Sequence, residues 1–422
     1  MGFLTIALFT TAFAMVARRL STTIITPPMI FLGFGALMAI LNFVELESAE
    51  HLLHLVAEIT LVVILFLDAA QIDLKALQRQ HTWPVRMLFV GLPLALLLGT
   101  VFAAFLMPSI PLVAAALIAA ILMPTDAALG QAVVTNPKVP DRVRRALTVE
   151  SGLNDGLALP AVLLFASLTA EVMDGAQANW LIFTAKQLVF GPLVGVAIGF
   201  AGGAILLVAK KHMLTADIYE GVGALALAGS AYLAADIVDG NGFISAFAAG
   251  LAFGNRVRGK CKFVYEFTES EGQLLTWSAF LLIGIALVPT AIAHLTPAMF
   301  TLILTSLVVV RPVAIWISLI GTDAAPTTRL FMGWFGPRGL ATALFALVVM
   351  ESVSHELVEP ILAIAVNAVW ISALLHGVTA APFASWYGRL VQARGDCPEM
   401  QPIQNTAKPL TTRGPVGSNS NT

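Results

Sequence analysis

Residues 121–160 read ILMPTDAALGQAVVTNPKVPDRVRRALTVESGLNDGLALP, and this stretch decides the architecture of the chain. A short basic loop joins two apolar segments here, and each segment contains acidic residues. Asp126 interrupts the first segment, and Glu150 and Asp155 lie in the second. An ionisable group at membrane depth is costly and usually marks an ion or proton pathway. We therefore expect the functional site of a membrane protein within this stretch.

The composition of the whole chain is typical of a polytopic helical membrane protein. Of its 422 residues, 58% are hydrophobic and only 11% are charged, and apolar runs long enough to cross a bilayer recur from end to end. The predicted fold is all-α, with thirteen membrane helices. After residue 384 the composition turns to Gly, Pro, Ser, Asn and Thr, which predicts a transmembrane domain over 1–384 and a short, disordered tail over 385–422. The predicted helices are 2–17, 27–42, 52–69, 85–106, 111–134, 143–169, 180–209, 217–236, 241–254, 273–289, 296–320, 329–350 and 357–382.

The charges of alternate loops predict the orientation. All but three of the 23 Lys and Arg residues fall in one set of loops or in the tail, as Arg18, Arg142 and Arg258 do. The other set is acidic and includes Glu47 and Glu356. Because cytoplasmic loops carry the excess of Lys and Arg, we expect the N-terminus outside and the C-terminus in the cytoplasm.

Two of the apolar segments are broken near their middles. Segment 111–134 is interrupted at Pro124-Thr125-Asp126, and segment 329–350 at Gly336-Pro337-Arg338-Gly339. Proline removes a backbone donor and glycine relaxes the helix. A matched pair of interrupted helices in the two halves of a chain indicates a site near the bilayer midplane, formed by inverted repeats. Residue identity alone does not display the repeat.

The sixth predicted helix carries a stripe of four polar residues. Ser151 and Asp155 are four positions apart and share a face, and Glu150 and Asn154 form the neighbouring stripe. Hydroxyl, amide and carboxylate oxygens on one face can ligate a small cation. The other interpretation is a buried polar network that only fixes helix packing. The density of polar groups within six positions favours the ion site.

The breaks suggest further members of the site. An unwound segment at Thr125 and Asp126 exposes carbonyls that can ligate a cation, and Asp126 can neutralise the ends of the facing half-helices. Asp126 could equally be a helix-capping residue without a transport role. Arg338 needs a partner in the membrane, and we predict that it forms a structural ion pair with Glu150.

Three other membrane residues are less decisive. Asp68 lies near the cytoplasmic end of the third helix, where it is either another oxygen ligand or a helix-end carboxylate in water. Arg311 and His376 lie within the eleventh and thirteenth helices, and we interpret both as packing or network residues.

Together these motifs resemble those of the monovalent cation:proton antiporters of the NhaP type, the prokaryotic relatives of the animal sodium/proton exchangers. The resemblance implies a core domain (helices at about 85–169 and 296–382) with crossed, discontinuous helices 5 and 12, a dimerisation domain, homodimers and the prokaryotic inner membrane. The matching segments are FLDAAQIDL (66–74), MPTDAA (123–128), ESGLNDG (150–156), NGFISAFAAGLAFGN (241–255), Arg311-Pro312, WFGPRGL (334–340) and LLHG (374–377).

The resemblance also implies roles for individual residues. Asp155 corresponds to the carboxylate that binds cation or proton, and Asn154 to the asparagine typical of members that exchange without net charge movement. Ser151 and the Thr125 carbonyl correspond to further Na⁺ ligands. Asp126 corresponds to an aspartate that reaches the site through water or balances helix ends.

The remaining correspondences concern the periphery of the site. Glu150 and Arg338 match an intramembrane ion pair, and Asp68 occupies the position of an acidic ligand. Aspartate is one methylene shorter than the glutamate that some relatives have there, which leaves direct ligation by Asp68 open.

The expected function is therefore secondary exchange of Na⁺ for H⁺, with K⁺/H⁺ exchange by the same fold as the alternative. A cation channel is less favoured because the sequence has no repeated filter motif. No protease or hydrolase motif indicates an intramembrane enzyme, and no P-loop indicates a nucleotide-driven pump. We expect monovalent cations, protons and the bilayer as partners, no nucleic acid, and no cofactor besides the transported ions.

Overall fold

The computed structural model describes residues 2–20, 25–43, 46–79, 82–126, 129–174, 180–261, 272–350, 352–395 and 397–400. Within these ranges the regular structure is helical, and each of the thirteen predicted membrane helices is confirmed. Some of the loop and tail charges that predict the orientation lie outside the described ranges, namely Glu45, Glu351, Lys262, Lys408 and Arg413. The helices are α1 Gly2–Leu20, α2 Pro27–Ile40, α3 Leu46–Gln71, α4 Thr82–Leu106, α5a Leu112–Ile121, α5b Gln131–Val134, α6 Asp141–Asp174, α7 Trp180–Lys211, α8 Asp217–Asp236, α9 Gly242–Val257, α10 Gln273–Ala286, α11 Pro297–Ser318, α12a Pro326–Trp334, α12b Leu340–Val349 and α13 His355–Arg394.

Length and apolar composition support the membrane assignment. Among the described helices, six have the length and hydropathy needed to cross a membrane, namely α4, α6, α7, α8, α11 and α13. Several shorter apolar helices accompany them, including α2, α5a, α10 and α12b. A short helix, Val288–Ala293, continues α10 after a turn at Leu287.

The helices pack in two groups. The first, which we call the scaffold group, comprises α1–α3 and α7–α10, and its main contacts are α7 with α9, α2 with α10, and α3 with α9. Glycine permits the closest of these approaches, because a side chain at Gly250 or Gly254 would collide with the carbonyls of Phe66 and Ala70 on α3. The second, the core group, comprises α4–α6 and α11–α13, as the fold prediction implies.

Two π-helical turns occupy corresponding places in the two halves of the core group. One covers Met87–Gly91 in α4 and the other Ser306–Val310 in α11. In each turn the last amide donates five residues back, from Leu92 to Met87 and from Arg311 to Ser306. A proline follows each of these amides directly and cannot supply the next helical hydrogen bond. This shared irregularity is local evidence for the repeat that residue identity does not display.

Regular structure continues past residue 384, the predicted end of the membrane domain. Helix α13 continues to Arg394, because Tyr387 and Val391 are fully buried on its inner face and the Tyr387 ring stacks on Phe331 at 4.0 Å. The turn Pro398–Met400 then packs against the core group. Composition obscured this, since the polar, small residues dominate only further along the chain. Residues 401–422 of the predicted tail lie outside the described residues.

Glu399 attaches this final turn to the core group. Its side chain is 1% exposed and accepts hydrogen bonds from the hydroxyl of Thr328 at 2.7 Å and the backbone amide of Ala325 at 3.0 Å. Arg142 of α6 donates to the carbonyl of Pro398 at 3.0 Å. The end of the described chain therefore fastens α6 to the start of α12a.

An ion pair joins α6 to the connection that precedes α12a. Arg142 binds Asp323 through both terminal nitrogens, at 2.6 and 3.1 Å, and lies over the Trp83 ring at 4.0 Å. The Trp83 indole donates to Asp323 at 2.8 Å. We call the face of the protein that carries these residues the basic-loop face, and the opposite face the acidic-loop face.

Candidate functional site

The two broken helices cross and are hydrogen-bonded to each other. Residues 123–126 follow α5a without regular secondary structure, and residues 335–339 separate α12a from α12b. The backbone amide of Asp126 donates to the carbonyl of Pro337 at 2.8 Å, across the crossing. This confirms the prediction that helices 5 and 12 are discontinuous and cross.

Each break supplies a charged side chain to the other helix. The Asp126 carboxylate accepts from the backbone amide of Leu340 at 3.0 Å, at the beginning of α12b. Arg338 donates to the carbonyls of Met123 at 2.7 Å and Pro124 at 3.1 Å, just beyond the end of α5a. A negative charge stabilises the N-terminus of a helix and a positive charge the C-terminus. The structure thus places Asp126 at a half-helix end, as expected.

The predicted ion pair between Glu150 and Arg338 is wrong. Glu150 is 1% exposed and is bound by Arg311, with Nη1–Oε1 and Nη2–Oε2 distances of 3.0 Å each. Arg311 also donates to the carbonyl of Phe335 at 3.2 Å. The Arg338 guanidinium reaches the carbonyls of the α5 break because the non-helical segment between α12a and α12b directs it there. The carbonyls just beyond the end of α5a, and not a carboxylate, balance the positive charge of Arg338.

Sequence periodicity could not identify Arg311 as the partner of Glu150. The π turn directly before Arg311 adds a residue to the helical turn and rotates Arg311 relative to a regular α-helix. The available signal was the arginine itself, because a guanidinium in the middle of an apolar helix requires an acceptor. Because Arg311 and Arg338 both lie in apolar helices, the sequence allowed either of them as the partner of Glu150.

The polar stripe of α6 faces the break in α5. The Ser151 hydroxyl donates to the carbonyl of Thr125 at 2.6 Å. The Asn154 amide nitrogen donates to the Thr125 hydroxyl and, at 3.3 Å, to Glu150. The predicted cluster of Thr125, Ser151, Asn154 and Asp155 is therefore brought together around the unwound segment.

Among the described residues, two oxygens in this cluster are buried without a hydrogen-bond donor. They are Oδ1 of Asp155 and Oδ1 of Asn154, and Asp155 is 8% exposed while Asn154 is fully buried. An acceptor removed from water without a partner costs free energy, and a charged one costs more. A proton or a cation at Asp155 would remove this cost, which is the chemistry expected of a carboxylate that binds each in turn.

The other acidic residues differ in their relation to the site. The negative charges of Asp68, Asp126 and Glu150 all act electrostatically on Asp155. Asp68 is partly exposed on α3, and its backbone carbonyl lies beside Gly152 of α6. Glu58 instead accepts a hydrogen bond from the hydroxyl of Tyr232 at 2.6 Å. The structure thus places Asp68 at the edge of the site.

A small cleft, with room for about one or two water molecules, adjoins these residues. Its polar lining includes Thr125, Asp126, Glu150 and Ser151, and Leu147 forms part of its apolar wall. Both charged and neutral oxygens of the site therefore border space that water can occupy.

Helix α13 holds the break in α12 at both ends. The backbone amide of Arg338 donates to the Ser372 hydroxyl at 2.7 Å, and Nε2 of His376 lies 3.0 Å from the carbonyl of Trp334. Nδ1 of the same ring lies 3.0 Å from the carbonyl of Ser372, so both ring nitrogens contact backbone acceptors. The interpretation of His376 as a network residue is confirmed, whereas Ser372 gave no signal in the sequence. Its position one helical turn before His376 is the only regularity that could have indicated it.

The chain resembles known cation/proton antiporters in sequence and in structure. Residues 4–386 match the family model described as "Sodium/hydrogen exchanger, transmembrane". The K(+)/H(+) antiporter NhaP of Alkalimonas amylolytica is 26% identical over 276 residues, which are 64% of this chain and 46% of that protein. NhaP2 of Shewanella baltica, also named a K(+)/H(+) antiporter, is 28% identical over 306 residues, 70% of this chain and 51% of that protein. The chain thus spans about half the length of these curated relatives.

The fold is that of a solved antiporter. The structure of the sodium proton antiporter MjNhaP1 from Methanocaldococcus jannaschii at pH 8 superimposes with a TM-score of 0.75 at 20% identity. The match covers 91% of this chain and 98% of the other. At this identity the likeness establishes the fold, and the predicted fold class is confirmed.

Proposed function

The chain belongs to the transmembrane sodium/hydrogen exchanger family, and we propose that it is a secondary antiporter exchanging Na⁺ for H⁺ by alternating access. One observation carries the proposal. Asp155 is a buried carboxylate beside the crossed breaks, and its Oδ1 accepts no hydrogen bond within the described part of the chain. Such a group favours binding either a proton or a cation, since each neutralises it in nonpolar surroundings. The proposal assigns no enzymatic activity to the chain.

The proposed cation site uses oxygens from α6 and from the α5 break. Ser151 donates its hydrogen to Thr125, so the lone pairs of the Ser151 hydroxyl remain available. The Thr125 carbonyl has a second lone pair, and Oδ1 of Asn154 accepts no hydrogen bond from the described residues. With the Asp155 carboxylate these form an oxygen-rich site of the kind that hard cations prefer. We propose Asp68 and Asp126 as charges that attract the cation to this site.

We propose that exchange is electroneutral, with one cation exchanged for one proton. Glu150 is bound by Arg311 and Asp126 lies at the beginning of α12b, so neither needs to change protonation during the cycle. Asp155 then carries a cation in one direction and a proton in the other. The moving site has the same net charge both ways, and the membrane potential, about 2.3 kcal/mol per elementary charge at 100 mV, does not drive it.

K⁺/H⁺ exchange is the second candidate function. The observation that favours it is that curated relatives at 26% and 28% identity are named K(+)/H(+) antiporters. The ligands above suit either ion, because selectivity between monovalent cations depends on the size of the site and the placement of its oxygens. We further propose a homodimer in the prokaryotic inner membrane, with the N-terminus outside and the basic-loop face in the cytoplasm.

The decisive experiment is cation-dependent proton flux in proteoliposomes that contain the purified protein. A pH gradient is imposed, and Na⁺, Li⁺ or K⁺ is added in turn. The proposal predicts proton movement that starts on addition of the preferred cation. Cation flux without proton counterflow would identify a channel, and the absence of any cation-dependent flux would refute the transport function.

Stoichiometry is tested in the same vesicles. A potassium diffusion potential is set with valinomycin while the Na⁺ and pH gradients are balanced. Electroneutral exchange predicts that this balance point is independent of voltage. A shift of the balance point with voltage would refute one-for-one exchange and would bring Asp68 into the mechanism as a second titrating group.

A further inference from the structure

Exposure along α6 shows from which face Asp155 can be reached. On the face that carries Asp155, Thr148 is exposed, Ser151 is 9% exposed and Asp155 is 8% exposed. One and two turns further along, Leu159 and Val162 are fully buried. Because α6 begins at the basic-loop face, the site is open toward that face and closed toward the acidic-loop face.

Helix α3 shows the same gradient in the opposite chain direction. Asp68 is partly exposed, and Gln71, which is closer to the basic-loop face, is exposed. Leu65 and Leu61, which are closer to the acidic-loop face, are 2% and 1% exposed. The exposure of two antiparallel helices, one from each group, therefore indicates that the structure is closed between the carboxylates and the acidic-loop face.

An aromatic ring closes this side next to Asp155. Phe247 lies in the second turn of α9, which begins at the acidic-loop face, and it is 9% exposed. Its ring rests on the bare backbone of α6 at Gly156, where a Cβ atom would overlap ring atoms Cδ2, Cε2 and Cζ. The contact joins the scaffold group to the core group at the residue that follows the transport carboxylate.

We propose that Phe247 and Gly156 form the seal that separates Asp155 from the acidic-loop face in this state. A side chain at position 156 would hold α6 away from the ring, so glycine is needed for the ring to close the path. The site opens to the acidic-loop face when this contact separates. The inference rests on the proposed antiport, because only a transporter needs Asp155 to face one side at a time.

Phe243 provides a matched control on the same helix. It lies one turn before Phe247 and is 8% exposed, but its ring meets Tyr232 of α8 edge-on at 5.1 Å. Both are buried phenylalanines of α9, so their truncation removes the same volume. Only Phe247 contacts α6 at Gly156. A role in packing alone predicts similar effects at both positions, whereas the seal predicts a difference in ion coupling.

The first test measures the proton leak of purified F247A, F243A and wild-type protein in vesicles with choline as the only monovalent cation. A coupled exchanger holds an imposed pH gradient under this condition. We expect F247A to dissipate it severalfold faster than wild type, and F243A to match wild type. An F247A variant that holds the pH gradient as well as wild type would overturn the proposal. So would an F243A variant that dissipates the gradient as fast as F247A.

The second test places a larger residue in the contact. G156A should reduce cation-dependent exchange, and F247A in the G156A background should remove the collision, so that the two effects are not additive. Melting temperatures of the variants in detergent identify any that fail to fold. Additive effects of the two substitutions on exchange would show that the residues do not act together.

A third test does not depend on transport, and so separates failure of the seal from failure of the proposed function. D155C is introduced into a chain whose Cys261 and Cys397 are replaced by serine, and a membrane-impermeant maleimide is added from the acidic-loop face. We expect no labelling with Phe247 present and clear labelling when F247A is added. Equal labelling in both backgrounds would overturn the seal even if wild-type exchange is normal.

Discussion

Glu150 and Arg311 form a bidentate ion pair in the membrane interior, although 161 positions of sequence separate them. Both terminal nitrogens of Arg311 lie 3.0 Å from the Glu150 oxygens, and both residues are almost completely buried. The pair joins α6, which carries Asp155, to α11. It therefore fixes the position of the helix that bears the proposed transport carboxylate.

We predict that breaking this pair destabilises the protein strongly. R311A leaves Glu150 as an uncompensated buried charge, which costs about 3–5 kcal/mol. E150A leaves the buried Arg311 guanidinium without its carboxylate. The double variant E150A/R311A should be more stable than the sum of the two single effects predicts. Unfolding in detergent, followed by tryptophan fluorescence, measures the cycle. As a control, E150A and R338A should show weak coupling, and a stronger coupling there would contradict the pairing described here.

We predict that D155N abolishes exchange without unfolding the protein. Oδ1 of Asp155 accepts no hydrogen bond in the described structure, so an amide at this position breaks no contact. It cannot, however, bind and release a proton. Cation-dependent proton flux and a melting curve on the same preparation measure the two properties. Substantial exchange by a folded D155N variant would contradict the assignment of Asp155.

We predict that D126A destabilises the crossed breaks more than D126N does. The Asp126 carboxylate accepts from the Leu340 amide at the beginning of α12b, and hydrogen bonds to charged groups contribute about 1.5–3 kcal/mol. Asparagine retains an acceptor and loses only the interaction of the charge with the helix end. Equilibrium unfolding of the two variants should therefore rank wild type, D126N and D126A in decreasing stability. Equal stability of the two variants would show that the charge carries the whole effect.

Exchange should fall at both low and high pH. Protons outcompete the cation for Asp155 at low pH, and at high pH too few protons are available for the return step. Initial rates of cation-dependent flux across the accessible pH range check this. Raising the cation concentration should extend activity toward lower pH, since the two ions compete for one carboxylate. A rate that rises monotonically with pH at every cation concentration would contradict competition at a single site.

The contacts at the basic-loop face should weaken only in acid. Although burial opposes ionisation, hydrogen bonds from Arg142 and Trp83 hold the pKa of Asp323 below its ordinary value of 3.8. Despite its burial, the pKa of Glu399 is likewise held below 4.5, by the Ala325 amide and the Thr328 hydroxyl. A lowered folded-state pKa contributes stability that is present above the ordinary value and is lost as the pH falls through the lowered one.

Stability measured against pH tests this sign. Below about pH 4 to 4.5 the free energy of unfolding should fall more steeply for wild type than for the double variant D323N/E399Q. The double variant lacks both carboxylates, so its stability depends less on pH in this range. Above pH 6 the double variant should be less stable by a constant amount. Parallel curves for the two proteins from neutral to acid pH would show that these carboxylates do not contribute through ionisation.

Local chemistry in the sequence determined where the helices lie and where they break. The apolar composition of the thirteen segments predicts helices, because a helix satisfies its own backbone hydrogen bonds in water-free surroundings. Pro124 and Pro337 lack the amide that an unbroken helix requires. The grouping of Ser151, Asn154 and Asp155 on one side of α6 follows from the 3.6-residue period. These features depend on neighbours in sequence and were predicted correctly.

Only the tertiary structure decided which distant groups meet. The partner of Glu150 depends on the π turn that rotates Arg311, and on the distance from α6 to α11, neither of which follows from periodicity. The seal at Gly156 likewise requires that α9 place Phe247 against α6. The turn that contains Glu399 is ordered by contacts with residues more than 70 positions away. Partner choice between buried polar groups is set by the relative position and rotation of whole helices, and these are fixed when the scaffold and core groups pack.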